Sequence, residues 1–523
     1  MNNLQKYNNK NKNNQPVKSK NFTDKNKEYR AERRQYKPNK PVYDIPSGIK
    51  REPTICKYFG KCGGCVFCDI SYADSLTLKQ KRVEGLMDGL CKVSPIVPAA
   101  NPLHYRHKVH AVFGTKGNTV VAGTYKKNSH EIVDIHSCAI EDETCDGIIR
   151  TAKEMLKSFK IQPYDEDTGR GLLRHILVRK GKISGEIMVV LVTAGVIFPS
   201  KNNFAKALRQ KHPEITTVVQ NVNEKSTSMV LGERNITIYG KGYIEDGLCG
   251  KRFRISPDSF YQVNPEMTEL LYKKAVECAS LTGKETVIDA YCGTGTIGII
   301  AAEKAGRVIG VELNKDAVRD AVQNAKLNGV KNIRFYNADA GDFMVKMAQN
   351  GEKADVVIMD PPRSGSTERF LSSIVKLSPE RVVYVSCGPD SLARDVKYLA
   401  AHGYTPTECT PFDCFPYTEH VETVVQLVRK KPDTYIDITV DMDELDLTSS
   451  EAKATYDEIK DYIFDKHRVK VSSLYIAQIK QKHGIIERDC YNNSKKDNTK
   501  QPQCPPEKVK LIEEALRHFK MIP

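Results

Sequence analysis

From about residue 255 to residue 431 the chain alternates apolar runs with stretches of helical periodicity, and no other feature limits the fold so strongly. The runs are rich in β-branched residues and end at glycine, proline or acidic residues, as β-strands do. They begin at Thr286, Arg307, Asn332, Ala354 and Arg381. Strands separated by helices form a parallel sheet that binds ligands at the carboxyl ends of its strands. The sequence therefore predicts an α/β, Rossmann-like domain over residues 251–431.

A glycine-rich turn follows the first of these strands and indicates which ligand the domain binds. The segment Gly293–Gly298 matches G-x-G-x-x-G, and Glu312 lies 19 residues after Gly293. An acid at that distance suits a ribose diol, either in NAD or in S-adenosylmethionine. Asp289 offers a carboxylate where the amino-acid part of S-adenosylmethionine would lie, and Asp360-Pro-Pro at the fourth strand is typical of methyltransferases. The pattern favours a methyltransferase over a dehydrogenase.

A methyltransferase that acts on carbon C5 of a pyrimidine needs a nucleophile, because that carbon does not attack a methyl group unaided. A thiolate that adds to C6 makes C5 reactive, and a base must later remove the C5 proton. Cys387 follows the fifth strand, at the edge of the sheet where ligands bind. Cys292 and Cys414 are competing thiols, each with a plain packing role. We therefore predict that Cys387 is the nucleophile of such a reaction.

The candidate bases lie in one segment that leads into the last apolar strand. They are Glu419, His420 and Glu422. Glu422 is followed at once by the strand, so we expect it to be partly buried with a raised pKa.

Four cysteines lie within thirteen residues near the N-terminal part of the chain, at Cys56, Cys62, Cys65 and Cys68. Such thiolates converge on a metal, and the fourth ligand is either Cys68 or a distant residue such as Cys138. An all-thiolate site suits zinc or an iron–sulfur cluster, and the spacing does not choose between them.

The remaining regions complete the expected organisation. Residues 1–50 contain thirteen Lys and Arg against four Asp and Glu, within a chain of net charge +15, so we expect a disordered basic arm that either tethers RNA or is simply solvated. Residues 51–95 carry the cysteines, residues 96–250 alternate like a mostly β domain, and residues 432–523 are expected to form a small helical module. In that module we predict helices from Thr448, with a capping box to Glu451, as far as His467, then over 473–482 and from Pro506. The apolar runs are too short to span a membrane, so we expect a protein of the cytoplasm. We also expect the protein to be a monomer.

Residues 52–428 resemble the RNA uracil-5-methyltransferase family of S-adenosylmethionine-dependent enzymes, and especially its branch that modifies 23S rRNA and carries an iron–sulfur cluster. The strings that carry the resemblance are Cys56-x5-Cys62-Gly-Gly-Cys65, Ser259-Phe-Tyr-Gln262-Val-Asn264, Asp289-x3-Gly293-x-Gly295, Asp360-Pro-Pro-Arg363, Val385-Ser386-Cys387 and His420-Val421-Glu422.

The resemblance implies roles for particular residues. It implies a [4Fe–4S] cluster with the ligands Cys56, Cys62, Cys65 and Cys138. It implies contacts to S-adenosyl-L-methionine from Gln262, Tyr291, Glu312, Asp339 and Asp360. It makes Cys387 the nucleophile and Glu422 the base.

The resemblance also implies a substrate, uridine in 23S rRNA, with the tRNA T-loop as the alternative. A cytosine-C5 enzyme is less consistent with the sequence, because such enzymes generally carry a second cysteine beside the strand-four proline, where this chain has Asp360-Pro-Pro-Arg363. A noncatalytic RNA-binding iron–sulfur protein is an alternative of a different class. Intact Cys387 and Glu422 argue against it.

Overall fold

The structure is a computed structural model that describes residues 45–126, 129–225, 229–430, 454–483, 485 and 504–522. The predicted basic arm lies outside the described residues as far as residue 44. The chain forms two compact units that divide between Lys431 and Pro432. The finer five-part domain organisation stays a prediction.

The strands of the first unit are β1 (Lys92–Val93), β2 (Lys108–Lys116), β3 (Thr119–Tyr125), β4 (Ile132–Asp134), β5 (Leu173–Lys180), β6 (Ile187–Thr193), β7 (Ile215–Val222), β8 (Arg234–Tyr239), β9 (Ile244–Leu248), β10 (Lys251–Ile255), β11 (Thr286–Ala290), β12 (Arg307–Glu312), β13 (Ile333–Asn337), β14 (Val356–Met359), β15 (Arg381–Ser386), β16 (Tyr404–Phe412) and β17 (Glu422–Arg429).

The helices of the first unit are α1 (Tyr72–Met87), α2 (Glu143–Ser158), α3 (Lys201–Lys211), α4 (Pro265–Ala279), α5 (Thr296–Ala301), α6 (Lys315–Leu327), α7 (Ala340–Gln349), α8 (Glu368–Leu377) and α9 (Pro389–Ala401). Those of the second unit are α10 (Tyr456–His467), α11 (Ser473–Lys482) and α12 (Pro506–His518).

An eight-stranded sheet with the order β1-β16-β17-β15-β14-β11-β12-β13 holds the predicted α/β domain. Strands β11 to β15 pair in parallel, whereas β17 runs antiparallel to β15 and β16. The chain leaves β11 in one direction through β12 and β13 and returns on its other side through β14 and β15. Ligands of such sheets bind at this reversal of strand order, outside the carboxyl ends of the strands.

Both faces of this sheet are buried, which explains why its strands are continuous apolar runs rather than alternating ones. Val287 and Ile358 pack into the core on one face, and their neighbours Ile288 and Met359 pack into the core on the other. Successive side chains of a strand point to opposite faces, so each run fills two cores at once. The α/β fold predicted from the sequence is confirmed.

A second sheet, of seven strands in the order β4-β3-β2-β5-β6-β7-β8, accounts for the expected β region. Helices α2 and α3 cover it, with Ile148 and Phe204 fully buried. These two helices were not predicted from the sequence. Their charged faces and short apolar stripes are less conspicuous than the strands on either side of them.

In the second unit, three helices pack around Ile459, Ile463, Ile476 and Ile512, each of them fully buried. The predicted capping box at Thr448 lies outside the described residues. The first described helix has its own capping box, in which the Thr455 side chain accepts from the backbone N–H of Glu458 and the Glu458 carboxylate accepts from the backbone N–H of Thr455. A single helix from Thr448 to His467 is therefore wrong. The extended backbone of Thr455 starts the helix at Tyr456.

Candidate functional site

The carboxyl edge of the eight-stranded sheet brings Cys387 and Glu422 together. Cys387 directly follows β15, and Glu422 is the first residue of β17. Because β17 runs antiparallel, its first residues lie beside the last residues of β15, with Ser386 opposite Thr423. The register of one strand pair thus places a thiol and a carboxyl, 35 residues apart in the sequence, at the same end of the sheet.

The charges around Cys387 decide when its thiol can ionise. Burial raises its pKa to about 11, the carboxyls of Glu422 and Asp360 add to that rise, and Arg363 lowers it. The thiol is partly buried, not sealed. Without a ligand it is therefore protonated at neutral pH, and a nearby base or positive charge is needed to form the nucleophilic thiolate.

Two carboxyls at this edge have pKa values raised to near neutrality. Glu422 is 2% exposed, and burial raises its pKa to about 8, with Asp360 raising it further and Arg363 lowering it. Burial also raises the pKa of Asp360, to about 7. Perturbed carboxyls in a cleft are typical of functional sites, since burial adjusts them to exchange protons near neutral pH.

The competing thiols are less suited to chemistry. Cys292 is 6% exposed and Cys414 is 3% exposed, and burial raises the pKa of each far above the ordinary value. Thiols buried in this way behave as packing residues.

The glycine-rich turn is built around the two acids that flank it. Gly293 and Gly295 have φ values of 54° and 80°, which glycine adopts without strain. One carboxylate oxygen of Glu312 accepts from the backbone N–H of Gly293 at 3.1 Å. Asp289 is buried and accepts from the N–H of Gly298 at 2.8 Å. The Asp289 carboxylate therefore supports the turn, whereas the sequence analysis expected it to face the ligand.

Two further predicted contacts follow other strands at the same edge. Tyr291, after β11, has a φ of 62°, and its ring lies 4.9 Å from that of Phe370. A positive φ at a tyrosine costs about 1–3 kcal/mol and is retained mainly at functional positions. Asp339, after β13, accepts from the N–H of Asp342 at 3.0 Å and caps α7.

Gln262 approaches the site through a tyrosine that sequence reasoning missed. Tyr272 is buried on α4, where the nearby side chains of Gln262 and Thr296 lower the pKa of its phenol. Burial raises the pKa of Tyr272 well above its usual range, and the carboxyls of Asp360 and Glu422 add to that rise. Tyr272 therefore connects the predicted Gln262 contact to the acidic strand ends. A tyrosine on the apolar face of a helix gave no signal of this role.

The loop between β16 and β17 is held by a buried ion pair. The Nζ atom of Lys79, on α1, lies 2.6 Å from a carboxylate oxygen of Asp413, and both side chains are fully buried. Lys79 also donates to the backbone oxygen of Phe415 at 3.0 Å.

Backbone contacts complete the restraint on this loop. Val66 and Phe67, next to the cysteine segment, donate through their N–H groups to the oxygen of Tyr417 at 3.0 and 3.1 Å. The Tyr105 hydroxyl donates to the oxygen of Pro416 at 3.1 Å. The loop that leads to Glu422 is thus fixed from several directions.

The other candidate bases lie in this loop. Burial lowers the pKa of His420 to about 4, and the positive charges of Arg363 and Lys79 lower it further. A neutral imidazole with so low a pKa is a weak base at neutral pH. Glu419 is partly exposed.

Four of the cysteines line one cavity of about 260 Å³, and they are Cys56, Cys62, Cys65 and Cys138. Arg106, Lys108 and His110 line the same cavity. Cys68 is buried and is not among its lining residues. In the described part of the chain, no three or more His, Cys, Asp or Glu side chains are close enough together to hold a single metal ion.

Backbone N–H groups point at three of these sulfur atoms. Gly64 donates to the Sγ of Cys62 at 3.4 Å. The N–H groups of Tyr58 and Phe59 lower the pKa of Cys56, and those of Ile140 and Glu141 lower the pKa of Cys138, although burial raises both overall. Such donors favour the thiolate form that metal binding requires.

The described helices include none that is long and apolar enough to cross a lipid bilayer.

The parallel sheet, its glycine-rich turn and the acids at its strand ends define an S-adenosylmethionine-dependent methyltransferase. Residues 71–430 match the family described as tRNA (uracil-5-)-methyltransferase. The chain is 44% identical to an uncharacterized RNA methyltransferase of Caldanaerobacter subterraneus over 379 residues, 72% of this chain and 84% of the relative. It is 42% identical to one of Halalkalibacterium halodurans over 391 residues, 74% of this chain and 85% of the relative.

A solved structure agrees with these matches. It is the Pyrococcus abyssi tRNA (uracil-54, C5)-methyltransferase with S-adenosyl-L-homocysteine, which is 29% identical and covers 69% of this chain and 84% of its own, with a TM-score of 0.58. The chain therefore belongs to the tRNA (uracil-5-)-methyltransferase family and is an S-adenosylmethionine-dependent RNA methyltransferase. The family predicted from the sequence motifs is confirmed. The iron–sulfur branch and the individual site residues stay predictions.

The raised pKa of Glu422 predicts a pH-dependent effect on stability. Between about pH 4.5, the ordinary value, and about pH 8, the folded protein keeps a proton that the unfolded chain releases. The contribution of Glu422 to the free energy of unfolding therefore falls as the pH rises through this window. We expect Glu422→Gln to gain stability relative to the wild type as the pH rises from 5 to 8, measured by urea denaturation. The exposed Glu154→Gln on α2 is the control, and parallel profiles for wild type and Glu422→Gln would contradict the prediction.

Proposed function

We propose that this enzyme methylates C5 of uridine in 23S rRNA through a transient covalent bond between Cys387 and C6 of the ring. The observation that carries the proposal is the pairing of an accessible thiol with a buried carboxyl at the ligand edge of the sheet. Proton removal alone activates oxygen or nitrogen nucleophiles. A thiol and a separate base are the two groups that methylation of a pyrimidine carbon needs.

The proposed reaction assigns one role to each residue. The thiol of Cys387 gives its proton to solvent, the resulting thiolate bonds to C6, and the electron pair of the C5–C6 double bond moves toward C5. S-adenosyl-L-methionine supplies an electrophilic methyl group to that carbon and leaves as S-adenosyl-L-homocysteine. The carboxylate of Glu422 then takes the C5 proton, the double bond re-forms, and the thiolate of Cys387 leaves C6. Arg363 assists the first step because its charge lowers the pKa of Cys387.

We propose that Gln262, Tyr291, Glu312, Asp339 and Asp360 hold the methyl donor. Tyr291, Glu312, Asp339 and Asp360 lie at the carboxyl ends of β11, β12, β13 and β14, and Gln262 is joined to this edge through Tyr272. The positive charge of the donor's sulfonium would favour ionised carboxylates nearby, and so would lower the raised pKa values of Asp360 and Glu422. Binding of the methyl donor would thus favour the ionised form of Glu422, which is the form that can remove the C5 proton.

The choice of 23S rRNA rests on the cysteine motif and the basic charge of the chain. The alternative substrate is the tRNA T-loop, and the structural similarity to an archaeal enzyme named for uracil-54 of tRNA favours it. We place the enzyme in the cytoplasm as a monomer. A noncatalytic RNA-binding protein is disfavoured, since both reactive side chains are present.

We further propose a [4Fe–4S] cluster bound by Cys56, Cys62, Cys65 and Cys138. A single zinc ion would need each of its sulfur ligands about 2.3 Å from the metal. The described side chains are not close enough together to hold a single ion in this way. A cluster is larger and separates its ligands, which suits four cysteines around a cavity. The positive charges of Arg106 and Lys108 beside it would offset the negative charge of a thiolate-bound cluster.

A trapped adduct tests the proposed chemistry and substrate together. Glu422→Gln should accumulate a denaturant-resistant complex with 23S rRNA in the presence of S-adenosyl-L-methionine, because addition proceeds while elimination stalls. Cys387→Ala should form no complex and should transfer no methyl group, yet bind the donor like the wild type. Denaturing gels with 23S rRNA and tRNA transcripts side by side give the readout. An adduct with tRNA and none with 23S rRNA would show that the substrate is tRNA. Methyl transfer by Cys387→Ala would refute the covalent step.

The proposed cluster predicts different effects for a cysteine that lines the cavity and for one that does not. Anaerobically purified protein should be brown and contain about four iron and four sulfide per chain. Cys138→Ser should lose iron and visible absorption, whereas Cys68→Ser, the matched control, should keep both. Colourless protein with stoichiometric zinc would refute the metal assignment. If Cys68→Ser lost iron and Cys138→Ser kept it, the fourth ligand would be Cys68 and not Cys138.

A further inference from the structure

The second unit exposes a surface that combines aromatic rings with positive charges. We define this basic–aromatic surface by Phe464, Arg468, Lys470, Tyr475 and Lys508. Its residues come from α10, from the turn that follows it, and from α11 and α12. The proposed methyl-transfer site and the cysteine cavity draw no residue from it.

Contacts connect the members of the surface. The Arg468 guanidinium and the Lys470 Nζ lie 5.6 and 5.8 Å from the centre of the Phe464 ring. The Nζ of Lys508 lies 6.0 Å from the centre of the Tyr475 ring and donates to the backbone oxygen of Lys470 at 2.9 Å. Three cations are thus arranged around two aromatic rings.

The Phe464 ring lies outside the core of the unit, whereas the Tyr475 ring is partly exposed and packs against that core with its remaining surface. Ile459 and Ile463 of α10 are fully buried, whereas Phe464 is 37% exposed. Leu474, at the start of α11, is 38% exposed beside Tyr475. Exposed apolar side chains that are grouped beside cations are typical of surfaces that bind another molecule.

Three other cations of the unit are paired with carboxylates. Lys460 pairs with Asp457, Lys466 with Glu514, and Lys482 with Glu513. Within the described residues, Arg468, Lys470 and Lys508 have no carboxylate partner. Exposed Asp465 and Glu507 adjoin the surface in the sequence but form no ion pair with it.

We propose that this surface binds unpaired nucleotides of RNA, with bases stacked on Phe464 and Tyr475 and phosphates held by Arg468, Lys470 and Lys508. Single-stranded nucleic acids bind to surfaces that combine cations with accessible aromatic rings. Every base has a flat face that can stack on a ring, and every phosphodiester carries a negative charge that a cation can bind. The inference goes beyond the proposed reaction, because it depends neither on Cys387 nor on which uridine is modified. An acidic protein partner would need the charges but not the rings.

The test uses the full-length protein and a labelled, unstructured RNA of about twenty nucleotides, with fluorescence anisotropy measured over a range of KCl concentrations. Lys470→Glu with Lys508→Glu should weaken binding about tenfold or more and reduce the salt slope by about 1.4, as expected for two lost phosphate contacts. Phe464→Ala should weaken binding about 5- to 150-fold with an unchanged salt slope, since stacking contributes about 1–3 kcal/mol per base.

Lys510→Glu with Lys520→Glu is the matched control, because it makes the same change of charge in the same unit. Lys510 lies on α12 about 200° around the helix from Lys508. Circular dichroism checks that each variant is folded, and donor binding checks the first unit separately. Equal losses in the test and control variants would overturn the proposal, as would full affinity in Phe464→Ala. A variant that lost methylation but kept its RNA affinity would count against the proposed reaction and not against this surface.

Discussion

The buried ion pair of Lys79 and Asp413 is the interaction on which the site geometry most depends. Its two groups are fully buried and 2.6 Å apart, and Lys79 also holds the backbone at Phe415. Removing one partner of such a pair leaves an unpaired buried charge, at a cost of about 3–5 kcal/mol. The pair fixes the loop before β17, and the start of β17 decides where Glu422 lies. Helix α1, near the N-terminal end of the described chain, therefore helps to position the Glu422 carboxyl at the ligand-binding edge of the methyltransferase sheet.

The cysteine segment takes part in the same arrangement. It precedes α1 directly, and the amides of Val66 and Phe67 bind the loop at Tyr417. The cavity lined by cysteines and the candidate base are therefore supported by one continuous set of contacts. This gives a physical reason for joining a cysteine-rich segment to a methyltransferase sheet, because whatever orders that segment also orders the loop.

The sequence predicted the parallel sheet and the side chains at its edge, because a parallel sheet gathers the residues after each strand at one end. Cys387, Glu312 and Asp360 could be located in this way from strand ends alone. Tyr272 could not, since its role arises from a helix packing behind the sheet. The contact of Lys79 with Asp413 joins residues 334 positions apart, and no local pattern reports such a pairing. Asp289 was placed at the correct strand end, but its carboxylate turns back to the Gly298 amide.

The most direct test of the central claim follows the hydrogen that C5 must lose. Substrate RNA carrying tritium at C5 of its uridines is incubated with the wild-type enzyme and S-adenosyl-L-methionine, and both the methyl groups transferred and the tritium released to water are measured. We expect one tritium released for each methyl group transferred, and an unmethylated product with Cys387→Ala. Methyl transfer with full retention of tritium would show that another atom of the RNA is modified, and would contradict the account.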